Sequence, residues 1–287
     1  HLVTGGAGFI GSHLVDTLVS NGENVRVIDD LSSGRIDFID GHIGDSVEMV
    51  IADLLDLEKL NEAMKGVTMV HHLAANPDIR LGTKVTDTDL KQGTIATYNV
   101  LESMRMNGVS RISFSSSSAV YGEIEAMPTP ESYGPTLPIS LYGASKLASD
   151  SLISAWAGTF GATAWIHRFA NIVGPRGTHG VIYDFVHKLR NNKSVLEVLG
   201  NGLQEKSYMD VEDTVDAMLH VIDSSNEGVA LYNLGTDETV SVSRIAEIVV
   251  EASGLQGVDI RYTGGDRGWP GDVPRTWLDV ERLDSLG

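Results

Sequence analysis

The chain of 287 residues has no cysteine. That excludes disulfides, thiolate metal sites and cysteine nucleophiles, and it suits a reducing, cytoplasmic compartment. Basic residues are scarce: 21 Lys and Arg stand against 39 Asp and Glu, a formal net charge of −18. A nucleic-acid partner needs a basic face, so this balance argues against one. A small anionic ligand remains open, because a few placed donors can hold it. No apolar run approaches the roughly 18 residues that cross a bilayer, and no charged segment leads into a long apolar stretch. Neither a membrane partner nor a signal peptide is read. Internal repeats and low-complexity tracts are also missing. The first strand begins almost at residue 1 and the last residues, LDVERLDSLG, start a helix and stop, so both ends read as clipped.

What is present alternates. HLVTG reads as a buried strand, GSHLVDTLVSNG as a helix stopped by Gly22, and NVRVIDD as a second strand. VEMVIADL, VTMVHHLAA, VSRISFSSSS and ATAWIHRFAN continue the strand series. Helices are expected between them: one capped by Asp56, a long amphipathic segment from Asp87 to Asn107, and another from Ser140 to Phe160. Such alternation predicts an α/β fold with a doubly wound parallel sheet. After Asn171 the pieces shorten. Residues 1–171 with about 208–235 are expected to form the sheet domain, and about 172–207 with 236–287 a smaller interleaved C-terminal substrate lobe.

The run TGGAGFIGSHL follows the first strand and opens a helix. Glycine is needed there because a side chain would hold a phosphate away from the backbone, and because helix and strand pack closely. The helix from Phe9 offers unpaired N–H groups and a positive dipole end to a pyrophosphate. Asp29 follows Gly11 by 18 residues, at the end of the second strand. A carboxylate there accepts from a ribose diol and repels a 2′-phosphate, so the reading is a Rossmann-type site for NAD rather than NADP.

Tyr142 and Lys146 stand four apart within LYGASKLASD, on one face of a helix. Tyrosine is a poor base, with a reference pKa of about 10. A nearby ammonium and a positive cofactor ring would stabilise its phenolate, so that it could take a proton from a sugar hydroxyl. Ser117 lies in FSSSSAVYG, at the strand edge where ligands sit in such sheets. His71 and His72 are adjacent on a strand and point to opposite faces. No third ligand stands at metal spacing, so no metal site is read; His72 is expected to pack near the cofactor.

TGGAGFIGSHL, Asp29, HLAAN, SSSSAVYG, YGASK, RFANIVGPR and RGWPGD together resemble an extended short-chain dehydrogenase/reductase. The likeness is to nucleotide-sugar epimerases of the UDP-galactose 4-epimerase type, and it covers nearly the whole chain. It implies that Gly5, Gly8 and Gly11, with Phe9 and Ile10, lie under the pyrophosphate. Asp29, Asp30, Ser33 and Gly34 match the adenosine-ribose loop, Asp53 and Leu54 the adenine pair, and Leu73, Ala74 and Ala75 the cofactor-lining stretch. Ser117, Tyr142 and Lys146 match the catalytic trio. Asn171 matches a contact to the substrate diphosphate, and Glu197, Val198 and Leu199 a segment beside the nucleoside. Lys206 and Arg267 match phosphate-binding positions, and Asp272 an acidic residue near the ribose. The implied reaction is removal of hydride and proton at C4 of a UDP-sugar and their return to the opposite face. The two long helices imply a homodimer interface.

Departures narrow the reading. The resembling dehydratases carry Asp-Glu where this chain has Ser118 and Ala119, and decarboxylases want Glu at the second position. An epimerase or a 4-reductase remains, and Asp29 disfavours the NADP that a reductase usually takes. The family's asparagine in the helix between the fourth and fifth strands is Gly93, so a helix-distorting contact is expected to differ. Lys206 replaces the commoner Arg, and a lysine found in some epimerases is Pro77. Thr276 stands where bulk bars N-acetylated sugars, so the N-acetylated pair is an expected second substrate. UDP-glucuronate remains an alternative, as does a non-catalytic NAD-binding module. That module should be indifferent to loss of Tyr142, and a net oxidoreductase should release NADH.

Overall fold

Short runs rich in valine and isoleucine become strands in the computed structural model, which describes residues 1–287. In chain order they are β1 (Leu2–Thr4), β2 (Val25–Asp29), β3 (Val47–Ile51), β4 (Val70–His72), β5 (Arg111–Ser117), β6 (Thr163–Phe169) and β7 (Asn171–Val173). Then come β8 (Val195–Val198), β9 (Glu205–Lys206), β10 (Tyr208–Asp210), β11 (Val229–Leu234), β12 (Val240–Ser241), β13 (Asp259–Tyr262) and β14 (Arg275–Thr276). Seven of them form one sheet in the order β11-β6-β5-β4-β1-β2-β3, every neighbouring pair parallel. Parallel neighbours need crossovers that cover both faces, which is why β1 and β4 are buried at every residue. The expected doubly wound sheet is therefore present. Strand order reverses between β1 and β4, and the crevice above that switch point is where such sheets take ligands.

The helices are α1 (Phe9–Ser20), α2 (Leu57–Ala63), α3 (Ala96–Asn107), α4 (Leu141–Phe160), α5 (Val181–Asn191), α6 (Val211–Ser224), α7 (Val242–Ala252) and the short α8 (Glu281–Asp284). Asp56 caps α2 by accepting from the Lys59 amide, and Ser140 caps α4 by accepting from the Gly143 amide at 3.0 Å. One face of the sheet packs Met104, Phe114 and Ile153 into a core; the other packs Leu14, Trp165 and Met218. The lobe has its own core of Phe185, Leu189, Leu196, Val198, Ile245 and Val249. The last turn departs from the expected boundary: Leu283 and Leu286 pack into the sheet's second core, not the lobe's. No helix is long and apolar enough to cross a membrane.

Candidate active site

Gly5, Gly8 and Gly11 wrap the N-terminus of α1 so closely that a Cβ on Gly11 would lie 2.1 Å from the Gly5 carbonyl oxygen. The helix carries no side-chain cap and no acidic residue in its first turn, so its amides face the cleft without an internal acceptor. Asp29 ends β2 with its carboxylate nearly buried, accepting from the Ala7 amide at 3.0 Å and the Leu31 amide at 2.9 Å. Burial raises its pKa from the ordinary aspartate value, and those two amides oppose the shift. Asp53 accepts from the Leu55 amide and the Gln92 side chain. A cleft of about 1380 Å³ runs from this cradle past Leu54, Leu73, Ala74 and Ala75 to the small lobe. A glycine cradle, an open helix terminus and a carboxylate at the strand end fit a dinucleotide.

Ser117, Tyr142 and Lys146 line the same cleft. Lys146 is 3% exposed and donates to the Ser115 carbonyl at 2.6 Å, 5.8 Å from the centre of the Tyr142 ring. Burial pushes its pKa down to about 8, with Asp150 and Asp89 opposing. Tyr142 keeps part of its ring on the cleft, but its hydroxyl is desolvated and its pKa is pushed up to about 12. The Ser117 hydroxyl opposes that shift and Asp89 adds to it. In the free protein burial dominates the phenol; the lowering expected from the ammonium together with a positive cofactor ring is not present without the cofactor. Beneath the trio, His72 bridges Thr4 Oγ1 at 2.8 Å and Thr97 Oγ1 at 3.0 Å, a packed polar bridge rather than a ligand.

The model of the NAD-dependent epimerase/dehydratase family matches residues 1–235. The chain belongs to that family. A Methanocaldococcus jannaschii relative, named provisionally as a UDP-glucose 4-epimerase, is 35% identical over 294 residues, covering 100% of this chain and 92% of the relative. A solved UDP-galactose 4-epimerase is 43% identical with a TM-score of 0.89, over 99% of this chain and 90% of that one. The UDP-N-acetylglucosamine 4-epimerase of Methanobrevibacter ruminantium is 28% identical with a TM-score of 0.89, over 100% of this chain and 91% of that one. Like its family, this epimerase/dehydratase is NAD-dependent.

Of the residues expected to bind, this family member brings Phe9, Ile10, Asp30, Ser33, Asn171, Leu199, Lys206, Asp272 and Thr276 to the cleft wall with those already described. Four stand off it. Gly34 packs on Asp29, where a Cβ would lie 2.6 Å from Oδ1. Side chains alternate along β8, so Val198 points into the lobe core while Glu197 is exposed near Lys188. Arg267 is drawn aside by an ion pair with Glu123 and by the Asp272 carbonyl, to which it donates at 3.1 Å. The helix distortion expected to differ at Gly93 is present: Leu90–Ile95 is a π-helical turn. A Cβ on Gly93 would lie 2.6 Å from Ser145 Oγ, so α4 fills the space that an asparagine would need.

Two participants were invisible in the sequence. The Ser115 carbonyl that seats Lys146 is backbone and leaves no residue signal. Asp89 is 2% exposed, accepts from Asn76 Nδ2 at 3.0 Å, and leaves Oδ2 without a partner. In an amphipathic segment an acidic residue reads as solvent-facing, and only the fold buries it.

Proposed function

We propose that this enzyme interconverts UDP-galactose and UDP-glucose by epimerisation at C4 through a 4-keto sugar, with its NAD retained between turnovers. The observation that carries the reading is convergence: Ser117, Tyr142 and Lys146 share one cleft with the glycine cradle, and Ser118 and Ala119 supply no second acid or base beside them. Bound NAD would supply the hydride acceptor and donor, and in its oxidised form a positive charge in the cleft. It would be held by Gly5, Gly8 and Gly11 with the α1 amides, by Asp29, and by the walls from Asp53 to Ala75.

Tyr142 takes the C4 hydroxyl proton and later returns it; Ser117 holds the same sugar oxygen. Lys146 contributes its ammonium, held towards the sheet by the Ser115 carbonyl. Because the phenol sits at about 12 in the free protein, proton uptake waits for added positive charge. Asn171, Lys206 and Arg267 would engage the diphosphate, the last by leaving Glu123. The active species is a cytoplasmic homodimer: Leu90, Ile95, Tyr98, Met106, Leu141 and Phe160 are exposed apolar residues on the two long helical segments. A second copy of the same face is their occupant.

The test is to add UDP-galactose to purified protein without NAD and resolve the products by anion exchange. UDP-glucose should form, with no NADH released. If nothing forms even after NAD is added, UDP-glucuronate is the next substrate and the galactose reading falls. A second reading, turnover of the N-acetylated pair, is favoured by Thr276, a small side chain on the cleft wall. Equal tubes of UDP-galactose and UDP-N-acetylgalactosamine measure it.

A further inference from the structure

Asp150 continues the Tyr142–Lys146 spacing by one more turn, on the same face of α4. It is 5% exposed, yet it is not a free acid. Arg168 on β6 donates to Asp150 Oδ2 from Nε at 3.1 Å, and the two side chains are each 7% exposed. Arg168 Nη2 lies 3.1 Å from the same oxygen, and the Ser116 hydroxyl beside the carboxylate helps to stabilise its charge. A buried carboxylate is costly unless neighbouring donors and charges compensate it.

That neighbour is Lys146. Its ammonium borders the cleft and is otherwise packed among groups from four elements. β5 contributes the Ser115 carbonyl and the Phe114 ring, whose centre is 4.7 Å from Nζ. From β4 comes the neutral His72, and from the residue just before the π-helical turn the buried Asp89. α4 itself places Tyr142 and Asp150, and β6 places Arg168 behind Asp150. Nζ makes no ion pair with Asp150, so the carboxylate acts across space. Asp150 is the foremost of the charges that oppose the desolvation of Lys146.

We propose that Asp150 is a positioning residue for catalysis: its buried carboxylate keeps the Lys146 ammonium charged and seated on the Ser115 carbonyl, while Arg168 limits how much of that negative charge the lysine receives. The inference rests on the assignment of Lys146 to the reaction. It makes a signed prediction, because removing Asp150 and removing Arg168 should move the lysine in opposite directions.

The experiment reads Lys146 directly. Protein is labelled with trace acetic anhydride across a pH series, and acetylation of the Lys146 peptide is followed by mass spectrometry. The wild-type midpoint should lie near 8. Asp150→Asn should lower it by roughly one pH unit, and Asp150→Glu should restore it to within a few tenths of a unit. Arg168→Met should raise it. In parallel, the alkaline limb of kcat for UDP-galactose should move down with the Asp150→Asn midpoint, costing about tenfold at a pH on that limb, with KM unchanged.

An Asp150→Asn midpoint equal to wild type would overturn the proposal, and so would a kcat loss of the same size at every pH. If Asp150→Asn does not fold, an Arg168→Met midpoint at or below wild type overturns it. Full activity in Lys146→Met would instead overturn the assignment of the lysine. Shifted labelling without any sugar turnover would leave Asp150 in its role and remove the substrate.

Discussion

Lys206 and Asp272 form one unit. The lysine Nζ donates to Asp272 Oδ1 at 2.8 Å, while Asp272 Oδ2 accepts from the Gly268 amide at 3.0 Å. Asp272 is 3% exposed, so the ion pair is buried on its acidic side. Lys206 on β9 and the glycine-rich loop that carries Gly268 are thereby tied together on the lobe side of the cleft. Removal of either partner leaves the other unpaired and should raise KM for the nucleotide sugar. A double-mutant cycle of Lys206→Met and Asp272→Asn should therefore show coupling of about 1–3 kcal/mol, with the double variant little worse than the poorer single one. Simple additivity in KM would mean that the two side chains act separately.

Tyr142→Phe removes the hydroxyl proposed to accept the proton, and little volume. Its kcat should fall about 10²- to 10⁴-fold while KM stays within a few-fold. In wild-type protein stripped of NAD, ultraviolet difference titration should find this phenol still protonated until close to 12. Reloading NAD should lower that midpoint. A phenol that titrates at the same pH with and without NAD would remove the charge argument.

Gly93→Asn restores the asparagine that the resembling family carries at this position. The space belongs to Ser145, whose hydroxyl donates to the Tyr142 carbonyl at 2.9 Å. The substitution should push α4 and lower kcat about tenfold, a misplacement effect. NAD retention should be unchanged, because the cradle at α1 is untouched. Wild-type kcat would show that the turn yields without moving Tyr142.

Acid should unfold this protein early. His71, His72 and His167 are buried, and desolvation pushes each to about 3. With a folded pKa below the unfolded one, each imidazole contributes stability that is fully present above the unfolded value and is lost as pH falls below it. Three such groups give a slope of about 4 kcal/mol per pH unit below the ordinary histidine range. Urea midpoints should drop steeply from pH 7 to pH 5. His167→Phe should remove roughly one-third of that slope. A flat midpoint over this range would mean that the imidazoles reach water in the native state.

Much was legible without coordinates because it is local. A glycine beside a helix start, a carboxylate at a strand end and a tyrosine four residues before a lysine are set by chain geometry over one or two turns. Strand alternation likewise dictates a parallel sheet, since parallel neighbours need helical crossovers. The tertiary structure decided what depends on distant segments meeting. It turned Glu197 outward and Val198 inward, engaged Arg267 with Glu123, buried Asp89 and Asp150, and kept the π-helical turn at Gly93 without an asparagine. The same packing set the protonation of the trio: burial raises Tyr142 and lowers Lys146, and no spacing in the sequence reports how much water a side chain has lost.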